Sequence, residues 1–335
     1  MTTKPSLAIL IDRSTQREVL DAATVARIEA RFEARWPGVE GKITPEEAAR
    51  LIRGADGVLT GWGSPNLSAA LLDLAPALKV VAHSAGTVKP YVSDALWQRG
   101  IVVSSAAAAI AVDVAQMAIG LMLIGRKNLM ELAPQTAQGA WKNTQGHRPP
   151  DELRGCTVGI IAASHVGREV LSLLRHFDVR VLLYDPFVSA EQVLEFGATK
   201  VELDELFRRS DVLSVHAPSI PATKHMVNAA RLALLPHGAT LINTSRGSLV
   251  DEAALVAELQ RKRIWAFLDV TDPEPPPPGS PLLGCPNLTL TPHLAGSRGR
   301  GRKRLGQYAC DELERFFSGG KPRSPVTREM LDKMA

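Results

Sequence analysis

The chain has 335 residues, 45% hydrophobic and 22% charged, which is the composition of a globular protein with room for two cores and excludes disordered and fibrous classes. A formal charge of +4 suits an anionic ligand but is far from a nucleic-acid-binding composition, so no nucleic-acid partner is expected. Cys156, Cys285 and Cys310 are odd in number and lack paired spacing, which argues against a disulfide framework or a zinc site; free thiols and no metal are expected.

Met1-Thr-Thr-Lys-Pro-Ser leads directly into Leu7–Ile11, too short and too early for the apolar region of a signal peptide, so a cytoplasmic location is expected. Aliphatic runs at Leu7–Ile11, Gly57–Leu59, Lys79–Ala82 and Ile101–Val103 predict strands. Amphipathic segments at Ala22–Arg35, Pro45–Arg53 and Ala69–Leu74 predict helices between them. Such alternation is the pattern of βα units around a parallel sheet. A long helix follows from about Val112 to Asn128, apolar on nearly every side, which suggests burial between domains or subunits and a homodimer. Its longest apolar run, Met117–Ile124, falls short of the roughly 20 residues that cross a bilayer, and no membrane partner is expected.

A polar, turn-rich stretch at 138–150 separates this helix from a second βα series. Its strands are predicted at Thr157–Ala162, Val179–Tyr184, Val212–His216, Thr240–Asn243, Ala266–Val270 and Leu288–Thr291. The proline run at 273–281 reads as a rigid extended loop between two core strands. Beyond it lies a basic run, Arg298, Arg300, Arg302, Lys303 and Arg304, at the start of the final helix. Cations there oppose the helix dipole, so an anionic group nearby is one reading and a solvated basic face the other.

Three segments carry the chemistry: Asn243-Thr-Ser-Arg246-Gly, Asp269-Val-Thr-Asp-Pro-Glu274-Pro and Thr291-Pro-His293-Leu-Ala-Gly296. Each places a reactive group just beyond a short apolar run. Arg246 can grip a carboxylate, Glu274 can favour the protonated form of an imidazole, and His293 can pass a proton to a carbonyl oxygen. With these motifs in this order, the chain resembles the D-isomer-specific 2-hydroxyacid dehydrogenases, like phosphoglycerate dehydrogenase, over about residues 78–297.

The resemblance implies an α/β fold of two doubly wound parallel-sheet domains, a Rossmann cofactor domain inserted into a flavodoxin-like substrate domain. The expected divisions are 1–106 for the first part of the substrate domain, 107–295 for the NAD-binding domain and 296–335 for the C-terminal return, with no further regulatory domain. It implies an NAD-dependent oxidoreductase that interconverts a 2-keto acid and a D-2-hydroxy acid, with Arg246, Glu274 and His293 as catalytic residues. The loop after the third strand, Ala85, Gly86 and Thr87, would bind the substrate carboxylate together with Arg246, although Lys89 stands near where the family often has Asp. Ser164, His165, Val166, Gly167, Asp185, His216, Ala217, Pro218, Thr223, Thr244, Ser245, Asp269, His293 and Gly296 would line the cofactor site.

That site departs from the family pattern. Of the three glycines in the G-x-G-x-x-G turn only Gly167 remains, with Ala162 and Ser164 in place of the others. Positive φ at Ala162 would cost about 1–2 kcal/mol. Asp185 would hold the ribose hydroxyls and repel a 2′-phosphate, favouring NAD over NADP. Two alternatives stay open: an NAD(H)-sensing interaction protein with little turnover, and a dehydrogenase of a phosphonate or phosphite, served by Lys89, His147, Arg148, Arg300 and Arg302.

Overall fold

The computed structural model describes residues 4–141 and 147–334. They form two compact units, one of residues up to Ile110 together with Ser297–Met334, the other Ala111–Gly296.

The first unit is built on five parallel strands: β1 (Ser6–Leu10), β2 (Glu33–Arg35), β3 (Gly57–Thr60), β4 (Val80–His83) and β5 (Val102–Ser105). Their order is β2-β1-β3-β4-β5, the flavodoxin-like arrangement. Strands β1, β3 and β4 are buried along their whole length, which explains why they read as continuous apolar runs instead of alternating ones. Helix α1 (Arg13–Val19) starts where the Asp12 carboxylate accepts the N–H groups of Ser14 and Thr15.

The second unit carries seven parallel strands: β6 (Thr157–Ile161), β7 (Arg180–Tyr184), β8 (Thr199–Lys200), β9 (Val212–Val215), β10 (Thr240–Asn243), β11 (Trp265–Leu268) and β12 (Leu288–Leu290). The order β8-β7-β6-β9-β10-β11-β12 is that of a doubly wound Rossmann sheet with one added edge strand. Chain direction across the sheet reverses between β6 and β9, and the carboxyl ends there open a crevice suited to a ligand. The expected fold class is therefore observed.

Two strands escape the sequence pattern. β2 consists of Glu-Ala-Arg at a sheet edge, inside what the periodicity reads as one helix to Arg35; the helix instead stops at Arg31 with Phe32 in extended backbone. β8 is a two-residue exposed edge strand with no apolar signal at all.

The long apolar segment is longer than expected. Helix α2 (Ala107–Arg126) has 20 residues, and an 18-residue stretch of it has a mean hydropathy of 2.0, so by length and composition alone it could cross a membrane. Ala115, Ala118 and Met122 are instead packed in the core with Val158, Ile160 and Phe267. Its outer face leaves Val112 and Leu123 exposed at 39% and 41%. Helix α3 (His165–Leu174) belongs to the second unit and helix α4 (Arg300–Phe317) to the first.

Candidate active site

The turn after β6 is bent by Ala162, whose φ of 74° puts a non-glycine residue in the left-handed region. This is the strained case considered above for the first position of the motif. The glycine at the third position has a steric reason: a Cβ on Gly167 would lie 2.0 Å from the Ala162 carbonyl oxygen. Ser164 caps α3, its hydroxyl accepting the Gly167 N–H at 3.2 Å. His165 is exposed on the first helical turn and Val166 is half-buried behind it.

Asp185 is buried beside this turn, and its two oxygens accept the main-chain N–H groups of Ala163 and Phe187, each at 2.8 Å. Each oxygen keeps acceptor capacity for a hydroxyl. Arg168 donates from Nε to the Ala163 carbonyl at 2.8 Å and stacks over Phe196 at 4.8 Å, so it is a clasp on the turn and not merely a solvated charge.

His216 lies at the end of β9, its main-chain N–H donating to Ile161 across the switch point. The ring is fully buried, neither nitrogen has a partner among the described residues, and burial pushes its pKa down to about 3. The Thr244 hydroxyl is likewise buried without a partner. Buried polar groups left in this way suit a polar ligand. Together with the helix start at Ser164 and the cradle over Gly167, they fit a dinucleotide. Ala217 is buried and Pro218 half-buried alongside, and Thr223 donates to the Pro218 carbonyl at 2.6 Å, closing that loop on itself.

Arg246 follows β10 through a short chain of hydrogen bonds. Asn243 accepts the Ser245 N–H at 3.0 Å and donates to the Arg246 carbonyl at 2.8 Å, while the Ser245 hydroxyl donates to Val215 at 2.9 Å. The guanidinium is drawn below the ordinary arginine range by desolvation, against the opposing pull of the Glu274 carboxylate. Gly247, next in the chain, lies so close to Thr271 and Asp272 that a Cβ there would fall 2.0 Å from the Thr271 carbonyl carbon. The Glu252 carboxylate accepts the Asp272 N–H at 2.8 Å and braces the same segment from below.

That segment ends at Glu274, whose Oε1 stands 2.6 Å from His293 Nδ1. With a carboxylate as acceptor, Nδ1 must be the donor, which leaves Nε2 as the ring atom that can exchange a proton. Both side chains are about half-exposed, at 42% and 47%. Asp269 is buried, and its carboxylate accepts from Thr291, Leu294 and Ala295. Gly296, half-buried, follows that turn. Arg246, Glu274 and His293 thus stand beyond the carboxyl ends of β10, β11 and β12, on the edge of the sheet that carries the dinucleotide turn.

In the first unit the loop after β4 runs through Ala85, Gly86 and Thr87. Its carbonyls are occupied, Ala85 by the Ala106 N–H at 3.1 Å and Gly86 by the Ser105 hydroxyl at 2.5 Å. The three main-chain N–H groups find no acceptor among the described residues. Beneath them His83 is buried, its Nδ1 2.9 Å from the Thr60 hydroxyl and its pKa pushed down to about 4 by desolvation. Lys89 is exposed at the end of the loop.

Of the cations read as serving a second anion, His147, Arg148 and Arg302 are engaged within their own units. Arg148 donates to Gly238 and Thr240 at the amino end of β10 and lies over Trp265 at the amino end of β11, the opposite edge from His293. His147 is held there too, 2.6 Å from Glu131. Within the first unit Arg302 is ion-paired with Glu18 and stacked over Trp62, and Lys303 donates to the Arg17 and Leu20 carbonyls. These cations fasten α4 to α1; Arg300 remains exposed.

Two contributors carry no chemical signal in the sequence. Gly247 acts through the side chain it lacks, and Asn243 acts through loop hydrogen bonds that only the fold assembles.

Residues 119–295 match the family model described as "D-isomer specific 2-hydroxyacid dehydrogenase, NAD binding domain". A D-3-phosphoglycerate dehydrogenase of Archaeoglobus fulgidus is 32% identical over 267 residues, covering 79% of this chain and 50% of that protein. A glyoxylate reductase of Thermofilum pendens is 32% identical over 293 residues, 85% of each chain. Among solved structures, an NADPH-dependent glyoxylate/hydroxypyruvate reductase from Sinorhizobium meliloti, in complex with citrate, superposes with a TM-score of 0.73 at 28% identity, covering 99% of this chain and 100% of the other. The chain spans about half the length of the phosphoglycerate dehydrogenases it matches. With the Rossmann sheet, the turn at Gly167 and a family match over more than half of its residues, the chain belongs to the D-isomer-specific 2-hydroxyacid dehydrogenase family and carries its NAD-binding domain.

Proposed function

We propose that the protein reduces a small 2-keto acid to a D-2-hydroxy acid, and catalyses the reverse oxidation, with a nicotinamide dinucleotide. The observation that carries this reading is the 2.6 Å contact between His293 and Glu274, beyond β12 and β11, the two strands that extend the sheet from β10, which presents Arg246. When bound, the cofactor supplies or accepts a hydride. The turn 162–167, Asp185, the His216-Ala217-Pro218 segment, Thr244 and Ser245 are the residues that would hold it.

In the reductive direction Arg246 grips the substrate carboxylate and polarises the carbonyl, giving both orientation and charge. His293 delivers a proton from Nε2 to the carbonyl oxygen. Glu274, accepting from Nδ1, stabilises the imidazolium between turnovers. Within the first unit, the unengaged N–H groups of Ala85, Gly86 and Thr87 leave that loop able to accept a carboxylate. Asp185 favours NAD over NADP by repelling a 2′-phosphate. The exposed apolar residues Val112 and Leu123 on α2 support a homodimer formed through the second unit.

The test is oxidation of NADH and NADPH, followed by absorbance, with a panel of 2-keto acids, phosphonates and phosphite. Turnover is expected with 2-keto acids, and faster with NADH than with NADPH. Turnover confined to phosphonates or phosphite, or none with any 2-keto acid, would overturn the reading.

A further inference from the structure

We propose that Arg168 is a positioning residue for the cofactor: by holding the Ala163 carbonyl, it keeps a turn that lacks its first two glycines in the form that receives the dinucleotide's diphosphate. This rests on the reading of the turn 162–167 as the place where that diphosphate binds. The turn is tied residue by residue. Ala162 donates its N–H to the Tyr184 carbonyl at 2.8 Å, and Ala163 donates its own to Asp185 Oδ2 at 2.8 Å. Arg168 Nε fastens the other side of Ala163, donating to its carbonyl at 2.8 Å. The guanidinium is itself held, 4.8 Å from the ring of Phe196, which is half-buried at the end of the short helix Ala190–Glu195. The tie runs backward from the first turn of α3, where a cation opposes the helix dipole. Its placement is explained by the bond it makes to the turn, not by the helix that carries it.

The turn needs such a tie because Ala162 has a φ of 74°, a left-handed conformation that a β-carbon disfavours. A residue persists in that region only where its surroundings over-determine it. Relaxation toward negative φ would rotate the peptide after Ala162 and carry the Ala163 carbonyl off Arg168. The peptide between Ala163 and Ser164 is trans, so its carbonyl and N–H point in opposite directions, and fixing the Ala163 oxygen also aims the Ser164 N–H. The N–H groups of Ser164, His165 and Val166 find no acceptor among the described residues. They lie at the start of α3, where a phosphate is favoured. Arg168 thus acts through the main chain, keeping these donors where phosphate oxygens can meet them.

The experiment is a calorimetric titration of NADH, and of ADP-ribose as a second diphosphate, into the full chain. Wild type, Arg168→Ala, Ala162→Gly and the double variant form a cycle, with melting temperatures measured alongside. For a positioning role, Arg168→Ala raises the Kd for both ligands about tenfold in the wild-type background, the order of one hydrogen bond to a charged group. In the Ala162→Gly background positive φ costs little, so the turn keeps its form without the tie and the same substitution raises Kd less than about threefold. Phe196→Leu removes the stack but leaves the guanidinium, and shows the same dependence on background more weakly. Equal fold-changes in the two backgrounds would make Arg168 a direct phosphate contact and overturn the proposal. So would an unchanged Kd in a folded Arg168→Ala, even with a lower melting temperature, since the residue would then only support the fold. If Arg168→Ala fails to fold, Phe196→Leu in both backgrounds decides alone, and equal losses or none overturn the proposal. Wild-type NADH affinity in Gly167→Ala is a different failure: it would show that the diphosphate binds elsewhere, and the reading of the turn would fall with everything that rests on it.

Discussion

The Ala162 carbonyl oxygen occupies the space that a Cβ on Gly167 would need, 2.0 Å away, while Ala162 itself holds a φ of 74°. The tight approach of the turn to α3 therefore survives although two of its three glycines do not. Ala162→Gly should relieve left-handed strain of about 1–2 kcal/mol, part of it offset by the greater freedom of glycine in the unfolded chain. We expect a higher melting temperature and tighter NADH binding by calorimetry. Gly167→Ala should do the reverse and abolish measurable binding. A Kd that loosens in Ala162→Gly would mean that the alanine methyl itself contacts the cofactor.

His293→Ala is expected to lower kcat by about 10²–10⁴-fold, the usual worth of a general acid, with NADH affinity nearly unchanged. Glu274→Gln should cost less, because the amide oxygen can still accept from Nδ1 but no longer balances the imidazolium charge. Stopped-flow measurement of the hydride step checks both. Wild-type kcat in His293→Ala would remove the residue from the mechanism.

Stability should fall with acid. His83 and His216 are neutral in the fold, with pKa values pushed to about 4 and about 3, whereas an unfolded histidine titrates near 6.5. Below that value the unfolded chain takes up protons that the folded chain refuses, so stability present above pH 6.5 is lost as pH falls. Each histidine contributes up to about 1.4 kcal/mol per pH unit. Urea midpoints should drop between pH 7 and pH 5, and His216→Asn should flatten the dependence for the second unit. Equal midpoints at both pH values would show that neither ring is neutral in the fold.

Arg302→Ala removes the ion pair with Glu18 and the stack over Trp62. Since Glu18 is about half-exposed, the expected loss is modest, about 1 kcal/mol of stability. Efficiency toward pyruvate and toward a dianionic keto acid such as oxaloacetate should change by the same factor. A loss confined to the dianion would make Arg302 a substrate contact after all.

Leu123→Glu should convert a homodimer to a folded monomer of 36.1 kDa in sedimentation. The charge would be placed at a residue that is 41% exposed, so it disturbs the outer face of α2 and not the core. Wild-type protein sedimenting as a monomer at micromolar concentration would retire the dimer.

Much of the architecture was legible because buried parallel strands must be continuously apolar, and those of both sheets stand out between polar helices. β2 and β8 were not legible: an edge strand held by main-chain hydrogen bonds alone, Glu-Ala-Arg or Thr-Lys, has no side-chain pattern to read. The site divides in the same way. Arg246, Glu274 and His293 announce themselves by chemistry and order, and the strain at Ala162 was foreseeable from a missing glycine. The sharing of Asp269 among Thr291, Leu294 and Ala295 depends on β11 and β12 being neighbours, which local sequence does not encode. The place of Arg148 was not legible, because a cation in a turn-rich stretch says nothing about which end of the sheet it reaches.

The pairing of β11 with β12 also sets when the entropy of assembling the acid is lost. Glu274 and His293 grow from adjacent strands, so their separation descends from the fixed spacing between parallel chains and from a turn already fastened to the sheet. The two groups are brought together once, as the chain folds, and need not find each other again at each encounter with a ligand. Tolerance to substitution should follow that geometry: changes that shift the register of β12 will be felt as lost chemistry before they are felt as lost structure.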